Sequence, residues 1–219
     1  MAQASRDEDA VPDLRPEHSG GFFLSVLTQS LRCPMTLSSS SSLLSPRPSF
    51  EPSDALSFHL PAGVTLRGEV ASDAAAILDL HEESFGPGRY ARTAFRLRET
   101  AASLGAFNRV AILDGVLVGS VQFWRLEADG VPGVLLGPLA VDPRWKSAGI
   151  GRSLMASSLR QIAEEGDGPV LLVGDAPYYA PLGFQVVAPG RLVLPGPVDP
   201  ARLLIALDRP AFCGRVNGI

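Results

Sequence analysis

A short glycine-bearing turn holds the residues in this chain that are best suited to binding an anion. It follows the apolar segment 134–141 and reads Lys146-Ser147-Ala148-Gly149-Ile150-Gly151-Arg152. The first N–H groups of a helix lack an internal partner and carry the positive end of the helix dipole. Glycines let an anion approach that backbone closely, and Lys146 and Arg152 add positive charge beside it. The turn therefore predicts a diphosphate site at a helix start.

Two other phosphate-binding motifs do not fit this turn. A Walker loop needs Gly-Lys followed by Ser or Thr, whereas Gly151 is followed by Arg152 and Ser153. The dinucleotide fingerprint needs a third glycine three positions after Gly151, where Leu154 stands. When the turn is taken alone, an ordinary strand-to-helix connection with glycines for tight packing is an equal alternative.

The elements that must position this turn are short strands interleaved with amphipathic helices. Asp114-Gly115 between two apolar runs predicts a hairpin, and Asp73 is expected to cap the first helix. The order predicts a mixed α/β sheet in one domain. The pattern predicts strands at 64–70, 109–113, 117–126, 134–141, 170–173, from 184 and finally at 202–207, and helices from 73, at about 91–104, at 149–165 and around 178–182.

Composition excludes several classes of protein. The net charge is −4, with 19 Lys plus Arg against 23 Asp plus Glu, so no basic excess favours a nucleic-acid partner. No apolar run approaches the ~20 residues that a membrane span requires. The acidic start does not resemble a secretory signal. Cys33 and Cys213 lie in opposite tails without a CxxC motif, which favours two unpaired thiols. These features predict a cytoplasmic protein.

The first 61 residues differ from the rest of the chain. They contain a run of five serines at 38–42 and prolines at 46, 48, 52 and 61, with little apolar periodicity. Such a segment buries too little apolar area to offset its ordering entropy. We expect a disordered extension at 1–61 and a single domain at 62–219, and Met35 leaves a later translational start open.

Two blocks of the sequence resemble the GNAT superfamily of N-acetyltransferases. One is Gly137-Pro138-Leu139-Ala140-Val141-Asp142-Pro143 with the turn that follows it. The other is Gly174-Asp175-Ala176-Pro177-Tyr178-Tyr179-Ala180-Pro181-Leu182-Gly183-Phe184, which is similar to a bacterial subgroup with Gly-Asp-Pro before its tyrosines. Lys146 stands where the family has Arg or Gln, and Pro181 where many members have a basic residue. The resemblance covers about residues 63–187.

The resemblance implies a fold, a cofactor and a set of roles. The fold would be α/β (α+β), with a mixed, mostly antiparallel central sheet flanked by helices, and acetyl-CoA would be the co-substrate. Backbone groups of Leu139, Ala140 and Val141 would bind the pantetheine arm and the thioester carbonyl. Tyr179 would protonate the departing thiolate. The pyrophosphate would be held by the amides of Lys146, Ser147, Ala148, Gly149, Ile150 and Gly151, together with Arg152.

The role of Tyr179 also makes chemical sense from the residues. Direct acetyl transfer needs no covalent nucleophile, and the chain has no convincing Ser/His/Asp or Cys/His set. It does need a proton donor near the sulfur, which a tyrosine hydroxyl can be. The alternative for both tyrosines is aromatic packing beside Phe184, and we expect Tyr178 to have that role.

The acceptor side is less well defined by sequence. No general base is assigned: Glu82, Glu83 and Glu127 are candidates only by elimination, and a lone helical histidine such as His81 is more often structural. An arginine stripe, formed by Arg89, Arg92 and Arg96, either recognises an anionic group or is a solvated basic face. No His, Cys and acidic cluster has metal-ligand spacing, so no metal is expected.

Three functions remain open from sequence alone. The first is an N-acetyltransferase that acts on a small amine or a protein amino group. The second is a non-catalytic module that binds acyl-CoA and regulates a partner. The third is an α/β interaction scaffold that binds no CoA. The oligomeric state is also left open, a homodimer included.

Overall fold

The fold, given by a computed structural model, alternates short strands with four helices over residues 59–88 and 93–219, the part of the chain that the structure describes. The expected extension at 1–61 lies outside that part except for its last three residues. The helices are α1 (Ala74–Phe85), α2 (Thr93–Thr100), α3 (Ile150–Glu165) and α4 (Ala176–Tyr179). The strands are β1 (Val64–Gly68), β2 (Arg109–Leu113), β3 (Val116–Ala128), β4 (Val131–Val141), β5 (Val170–Val173), β6 (Gln185–Val186), β7 (Leu192–Val193), β8 (Leu203–Ala206) and β9 (Gly214–Gly218).

The strands form one mixed sheet in which antiparallel pairs predominate. Its order is β1-β2-β3-β4-β5-β8-β6, and β9 joins the end of β3 while also pairing with β7. Only the β4–β5 and β7–β9 pairs are parallel. The predicted fold class is therefore confirmed.

The predicted hairpin joins β2 to β3. Asp114 and Gly115 have φ angles of 50° and 80°, the left-handed conformation that a two-residue turn with the twist of a hairpin requires at both positions. The hairpin is therefore confirmed, and it begins the long strand β3 that runs through the centre of the sheet.

Helices cover both faces of the sheet. On one face, the apolar side of α3, including Leu154 and Leu159, packs with Val121 and Phe123 of β3. On the other face, Leu97 of α2 belongs to a second buried cluster that includes Leu126, Leu135, Leu171 and Phe212. Helix α1 also lies on this second face, because His81 hydrogen-bonds Ser120. Ser120 is an even number of residues from Leu126 along β3, so the two side chains point to the same face of the sheet.

Two helix predictions need correction. Asp73 precedes α1 as expected, but its carboxylate makes no capping bond to the helix; it accepts from the Val70 N–H at 2.9 Å and pairs with Arg67, which lowers its pKa. Helix α2 ends at Thr100 instead of residue 104. The chain leaves the helix there because the Ala102 N–H bonds the Ile219 carbonyl and residue 103 bridges to β3.

The strand predicted at 202–207 is present as β8, but it is not the last. Strand β9 follows it and pairs Gly218 with Leu126 of β3. Its sequence, Gly-Arg-Val-Asn-Gly, has one apolar residue, Val216, which is fully buried. Local periodicity could not indicate this strand, because its place is decided by its partner β3.

Cys213 precedes β9 and is disulfide-bonded. The prediction of an unpaired thiol is therefore wrong at this position, and Cys33 lies outside the described residues. Within the described ranges, none of the helices has the length and apolar character needed to cross a bilayer.

Candidate active site

Strands β4 and β5 pair over two positions and then separate. The parallel register joins Val134 to Val170 and Leu135 to Leu171, after which β4 continues to Val141 without β5 as a neighbour. The two strands therefore form a wedge that opens toward the carboxyl end of β4. The wedge exposes a strand edge inside the molecule, which is where an extended ligand can make backbone hydrogen bonds.

A bulge in β4 lies at the opening of this wedge. Two residues of β4, Gly137 and Pro138, face the single residue Gln122 of β3, because the register moves from Phe123–Leu136 to Val121–Leu139. The Trp124 indole N–H donates to the Gly137 carbonyl at 2.8 Å and holds the bulge in place. The bulge bends β4 just before the segment that the sequence predicts to bind the cofactor.

The backbone groups of Leu139 and Val141 point into the wedge. In an antiparallel pair, residues alternate between those that exchange hydrogen bonds with the partner strand and those that face away from it. The Asp142 N–H bonds the Val118 carbonyl at 2.9 Å, and Ala140 lies opposite Ser120, so these two β4 residues face β3. Leu139 and Val141 alternate with them and face the side that β5 has left.

A carboxylate fixes the path from β4 into α3. Asp142 accepts from the backbone N–H of Arg144 at 2.8 Å and from its guanidinium, which begins a 3-10 turn at Pro143–Trp145. These bonds, the guanidinium first, lower the pKa of the Asp142 carboxyl. The chain then passes through Ser147 and Gly149, which have φ angles of 65° and 84°, and enters the helix at Ile150. A local ion pair and two left-handed residues thus set the direction of the helix start.

The helix start has the features that a diphosphate requires. The first helical hydrogen bond runs from the Ser153 N–H to the Gly149 carbonyl, so the amides just before Ser153 have no acceptor within the helix. The hydroxyl oxygen of Ser153 is buried and has no hydrogen-bond partner among the described residues. A buried polar atom without a partner is costly, and it fits a ligand that supplies the missing bond.

The predicted cofactor-binding residues lie close together. A Cβ placed on Gly151 would be 3.4 Å from Val141 and 3.7 Å from Leu139, so the start of α3 lies against the end of β4. The same Cβ would be 2.6 Å from the Tyr178 hydroxyl, and one on Gly149 would be 2.9 Å from the His59 carbonyl. The turn is thus flanked by one tyrosine hydroxyl and one backbone carbonyl.

The two tyrosines of α4 are perpendicular neighbours with different surroundings. Their ring centres are 4.9 Å apart, and the Tyr178 ring also lies 5.2 Å from the Arg152 guanidinium. Tyr179 packs edge-on against Phe184 at 5.8 Å, and its ring lies against the backbone of Gly174, where a Cβ would be 3.0 Å from the ring carbon Cζ. Both tyrosines line the same cleft, and both also have the packing role that sequence left open.

Burial keeps both hydroxyls protonated. It raises the pKa of Tyr179 to about 12, with smaller contributions from Tyr178 and Asp175. It also raises the pKa of Tyr178, an effect that Arg152 opposes. At neutral pH, Tyr179 is therefore a neutral hydroxyl that can donate a proton or a hydrogen bond.

The wedge opens into a cleft of about 900 Å³ beneath α1 and α2. The bulge, the end of β5 and the two tyrosines form one side of it. The apolar side chains of α1 and α2 form the other, together with Val198. The cleft thus connects the predicted cofactor site with the face of the sheet that α1 and α2 cover.

The residues expected by elimination on the acceptor side do not line this cleft. Glu82 and Glu83 are exposed on α1, and Glu127 lies in β3 opposite Asn217 of β9. His81 does line it, but its Nε2 is 3.1 Å from the Ser120 hydroxyl, a bond that ties α1 to β3.

The arginine stripe falls largely outside the described residues. Arg89 and Arg92 are among those not described, while Arg96 is exposed and does not line the cleft. Arg98, which the sequence reading did not single out, does line it, and its guanidinium lies 5.0 Å from the centre of the Phe95 ring. Over residues 59–88 and 93–219, no three His, Cys, Asp or Glu side chains are grouped as metal ligands.

Glu69, Gln122 and Trp124 are also among the polar cleft residues that sequence reasoning missed. The expected strand at 64–70 would have placed Glu69 on its solvent side with Thr65 and Arg67. Because β1 ends at Gly68, the chain turns there and Glu69 lines the cleft. In the sequence, Gly68 is the one turn-forming residue that could have indicated the early end of this strand.

The chain is similar in sequence to proteins of the Acetyltransferase (GNAT) family. The profile of the Acetyltransferase (GNAT) family matches residues 74–184, just over half of the chain. The uncharacterized N-acetyltransferase YhbS of Escherichia coli K12 is 32% identical over 127 residues, which are 56% of this chain and 74% of YhbS. A second E. coli K12 protein, the uncharacterized N-acetyltransferase YjhQ, is 30% identical over 121 residues, 53% of this chain and 67% of YjhQ.

The similarity extends to a solved structure. The crystal structure of YhbS from Escherichia coli in complex with CoA has a TM-score of 0.60 to this chain at 28% identity. The match covers 73% of this chain and 92% of that one.

Proposed function

The chain belongs to the GNAT family of acetyltransferases, and on that premise we propose that it transfers an acetyl group from acetyl-CoA directly to an amine. The observation that carries the proposal is the wedge between β4 and β5, which leads from the inward-facing backbone of Leu139 and Val141 to the start of α3. A wedge of this form suits one extended ligand that has a diphosphate at one end. The CoA bound by the related YhbS supports the same ligand here.

The proposed binding roles follow the order of groups along the coenzyme. The backbone of Leu139 and Val141 binds the pantetheine arm and the thioester carbonyl. The backbone of Ala140, which the sequence also predicted to bind there, faces β3 instead. The pyrophosphate lies at the turn, where its oxygens accept hydrogen bonds from the helix-start amides. A pyrophosphate oxygen also accepts from the buried Ser153 hydroxyl, which has no other partner among the described residues. The proposed pyrophosphate ligands are the amides of Ser147, Gly149, Ile150 and Gly151 and the side-chain charges of Lys146 and Arg152. The amides of Lys146 and Ala148, which the sequence also predicted to take part, donate to the carbonyls of Pro143 and Trp145.

In the proposed reaction, the amine nitrogen attacks the thioester carbonyl. The N–C bond forms, the C–S bond breaks, and the thiolate leaves. Tyr179 donates its hydroxyl proton to the sulfur, which its raised pKa permits because the group is still protonated at neutral pH. The proton that the amine loses passes to solvent, from which the tyrosine is protonated again.

Binding is tested through the only lysine in the chain, Lys146. Reductive methylation with ¹³C-formaldehyde keeps the charge and labels only this side chain and the terminal amine. We expect CoA to bind in a calorimetric titration and to shift the Lys146 methyl signal. Pantetheine, which lacks the diphosphate, should leave that signal in place. A protein that takes up no CoA would contradict the proposal and leave the scaffold function.

Catalysis is tested separately from binding. We expect thiol release from acetyl-CoA to be stimulated by at least one member of a panel of primary amines and amino-terminal peptides. A protein that binds CoA but releases no thiol with any of them would instead be the regulatory acyl-CoA-binding module.

A further inference from the structure

Glu69 is an acidic side chain in the cleft that the proposed reaction does not use. Its backbone N–H bonds the Asn108 carbonyl at 3.2 Å, which fixes the residue beside the start of β2. Its two carboxylate oxygens lie 3.3 and 3.1 Å from the side-chain amide of Gln122. A neutral amide orients the carboxylate without cancelling its charge. Within the described residues, no cation is paired with it.

The other two carboxylates that line the cleft, Asp175 and Asp199, differ from Glu69 in their exposure to solvent. Asp175 pairs with the Arg202 guanidinium at 3.2 Å, and Asp199 accepts from the backbone N–H of Ala201 at 3.0 Å. Both are exposed at the rim, whereas Glu69 is partly buried. Glu69 is therefore the negative charge best placed to attract a ligand into the cleft.

Glu69 lies close to the segment of β4 that is proposed to bind the thioester of acetyl-CoA. Its partner Gln122 is the single residue of β3 opposite the bulge at Gly137 and Pro138. The next β4 residue is Leu139, whose backbone is proposed to bind the thioester. A cation held at Glu69 would thus lie beside the bulge, on the α1 side of the β4 segment that is proposed to bind the thioester carbonyl.

The part of the cleft wall that α1 contributes is largely apolar. Ile77, Leu78 and Phe85 of α1 line the cleft with Trp124, and Leu78 is 61% exposed. An apolar wall weakens the competition from water and strengthens the attraction between the carboxylate and a cation. It also favours a ligand that has an apolar group next to its charge.

We infer that this cleft selects, as acceptor, a primary ammonium ion that carries an apolar substituent. The ammonium group is bound by the Glu69 carboxylate, which Gln122 orients, and the substituent lies against the apolar side of α1 and Trp124. The ammonium ion releases one proton to solvent before its nitrogen attacks the thioester carbonyl. Glu69 thereby determines specificity by discriminating a cationic acceptor from a neutral molecule of the same shape. The inference rests on the proposed function, since it names the acceptor class of that reaction.

The test compares two probes of the same shape, 2-phenylethylamine and 2-phenylethanol. Each is titrated calorimetrically into the full-length protein saturated with CoA, so that no transfer takes place. We expect the amine to bind at least about tenfold more tightly, as a charge-assisted bond to a carboxylate would provide. We expect Glu69→Gln to abolish this preference and to leave CoA binding unchanged.

A matched variant, Glu82→Gln, removes a carboxylate from the exposed side of α1 and should keep the preference. Thermal unfolding of both variants shows whether they are folded. Equal binding of the two probes, absence of amine binding, or a preference that survives Glu69→Gln would overturn the inference. Failure to bind CoA would instead contradict the proposed function, and the two probes can then still be compared on the free protein.

Discussion

At the scale of single residues, the two adjacent tyrosines have distinct environments. Tyr178 directs its hydroxyl to Gly151 at the helix start, while the ring of Tyr179 lies against Gly174 and its hydroxyl has a pKa of about 12. Adjacent residues of one short helix therefore face different parts of the same cleft. Sequence proximity alone cannot separate their roles, but substitution of each can.

We predict that Tyr179→Phe lowers turnover by about 10–100-fold, because the departing thiolate loses its proton donor. Acetyl-CoA affinity should remain near that of the unmodified protein, since the hydroxyl is not proposed to hold the pyrophosphate. Steady-state turnover with the best amine and calorimetry with CoA measure the two quantities. Tyr178→Phe provides the comparison and should cost much less turnover. Unchanged turnover in Tyr179→Phe would remove this residue from the mechanism.

The pH dependence gives a second measure of the same residue. Because burial raises the pKa of Tyr179 from 10.0 to about 12, the hydroxyl stays protonated throughout the range from pH 7 to pH 10. The turnover ratio between the unmodified protein and Tyr179→Phe should therefore be constant over that range. A ratio that falls toward 1 near pH 9 would show that the hydroxyl ionises earlier and would contradict this assignment.

At the scale of elements, α3 has a left-handed glycine at each end. Gly149 at its start and Gly166 at its end have φ angles of 84° and 74°. Only the first is crowded: a Cβ on Gly149 would meet the His59 carbonyl, whereas nothing lies within 4 Å of one on Gly166. Both ends therefore require a left-handed residue, but only the start of the helix also has another backbone group in close contact.

We predict that Gly149→Ala weakens CoA binding by about tenfold or more, because a displaced turn misdirects the helix-start amides. Gly166→Ala is the matched control. It should lower the free energy of unfolding by about 1 kcal/mol, the cost of a left-handed alanine, without affecting CoA binding. Calorimetry and denaturant unfolding separate the two effects. Equal CoA affinity in both variants would place the diphosphate elsewhere.

At the scale of the whole molecule, the C-terminal strand connects the sheet to the helix layer above the cleft. Strand β9 pairs with the end of β3, and a Cβ on Gly218 would come into contact with the Leu97 carbonyl of α2 and lie 2.7 Å from the Thr100 hydroxyl. Close contact at this glycine thus fixes α2 against the sheet. Because Phe95 and Arg98 of α2 line the cleft, β9 helps to shape the acceptor side from a distance.

We predict that Gly218→Ala lowers the free energy of unfolding by about 1–3 kcal/mol, as overpacking against backbone does. Gly68→Ala, at the end of β1, meets nothing within 4 Å and should change stability by less than about 0.5 kcal/mol. Denaturant unfolding of both variants provides the measurement. A Gly218→Ala protein as stable as its Gly68→Ala counterpart would show that α2 does not pack tightly on β9.

The amino-acid sequence alone was enough to predict the fold class, the hairpin at Asp114-Gly115 and the helix that follows the glycine turn. It also predicted the cofactor residues, whose roles stay predictions. These features could be found because their physics is local. A turn type, a helix dipole and a buried apolar strand each depend on residues a few positions apart. The sequence did not indicate β9, whose single buried apolar residue acquires its place only from β3.

The acceptor side of the cleft depends on how the strands are arranged in three dimensions. Glu69, Gln122 and Trp124 come from the end of β1 and from the middle of β3, and they line one cleft because β1 stops early and β4 has a bulge opposite Gln122. A bulge and the end of a strand depend on register between strands that are distant in sequence, and no local pattern encodes that register. The anion-binding turn can therefore be predicted from the sequence, whereas the residues proposed to determine acceptor specificity cannot.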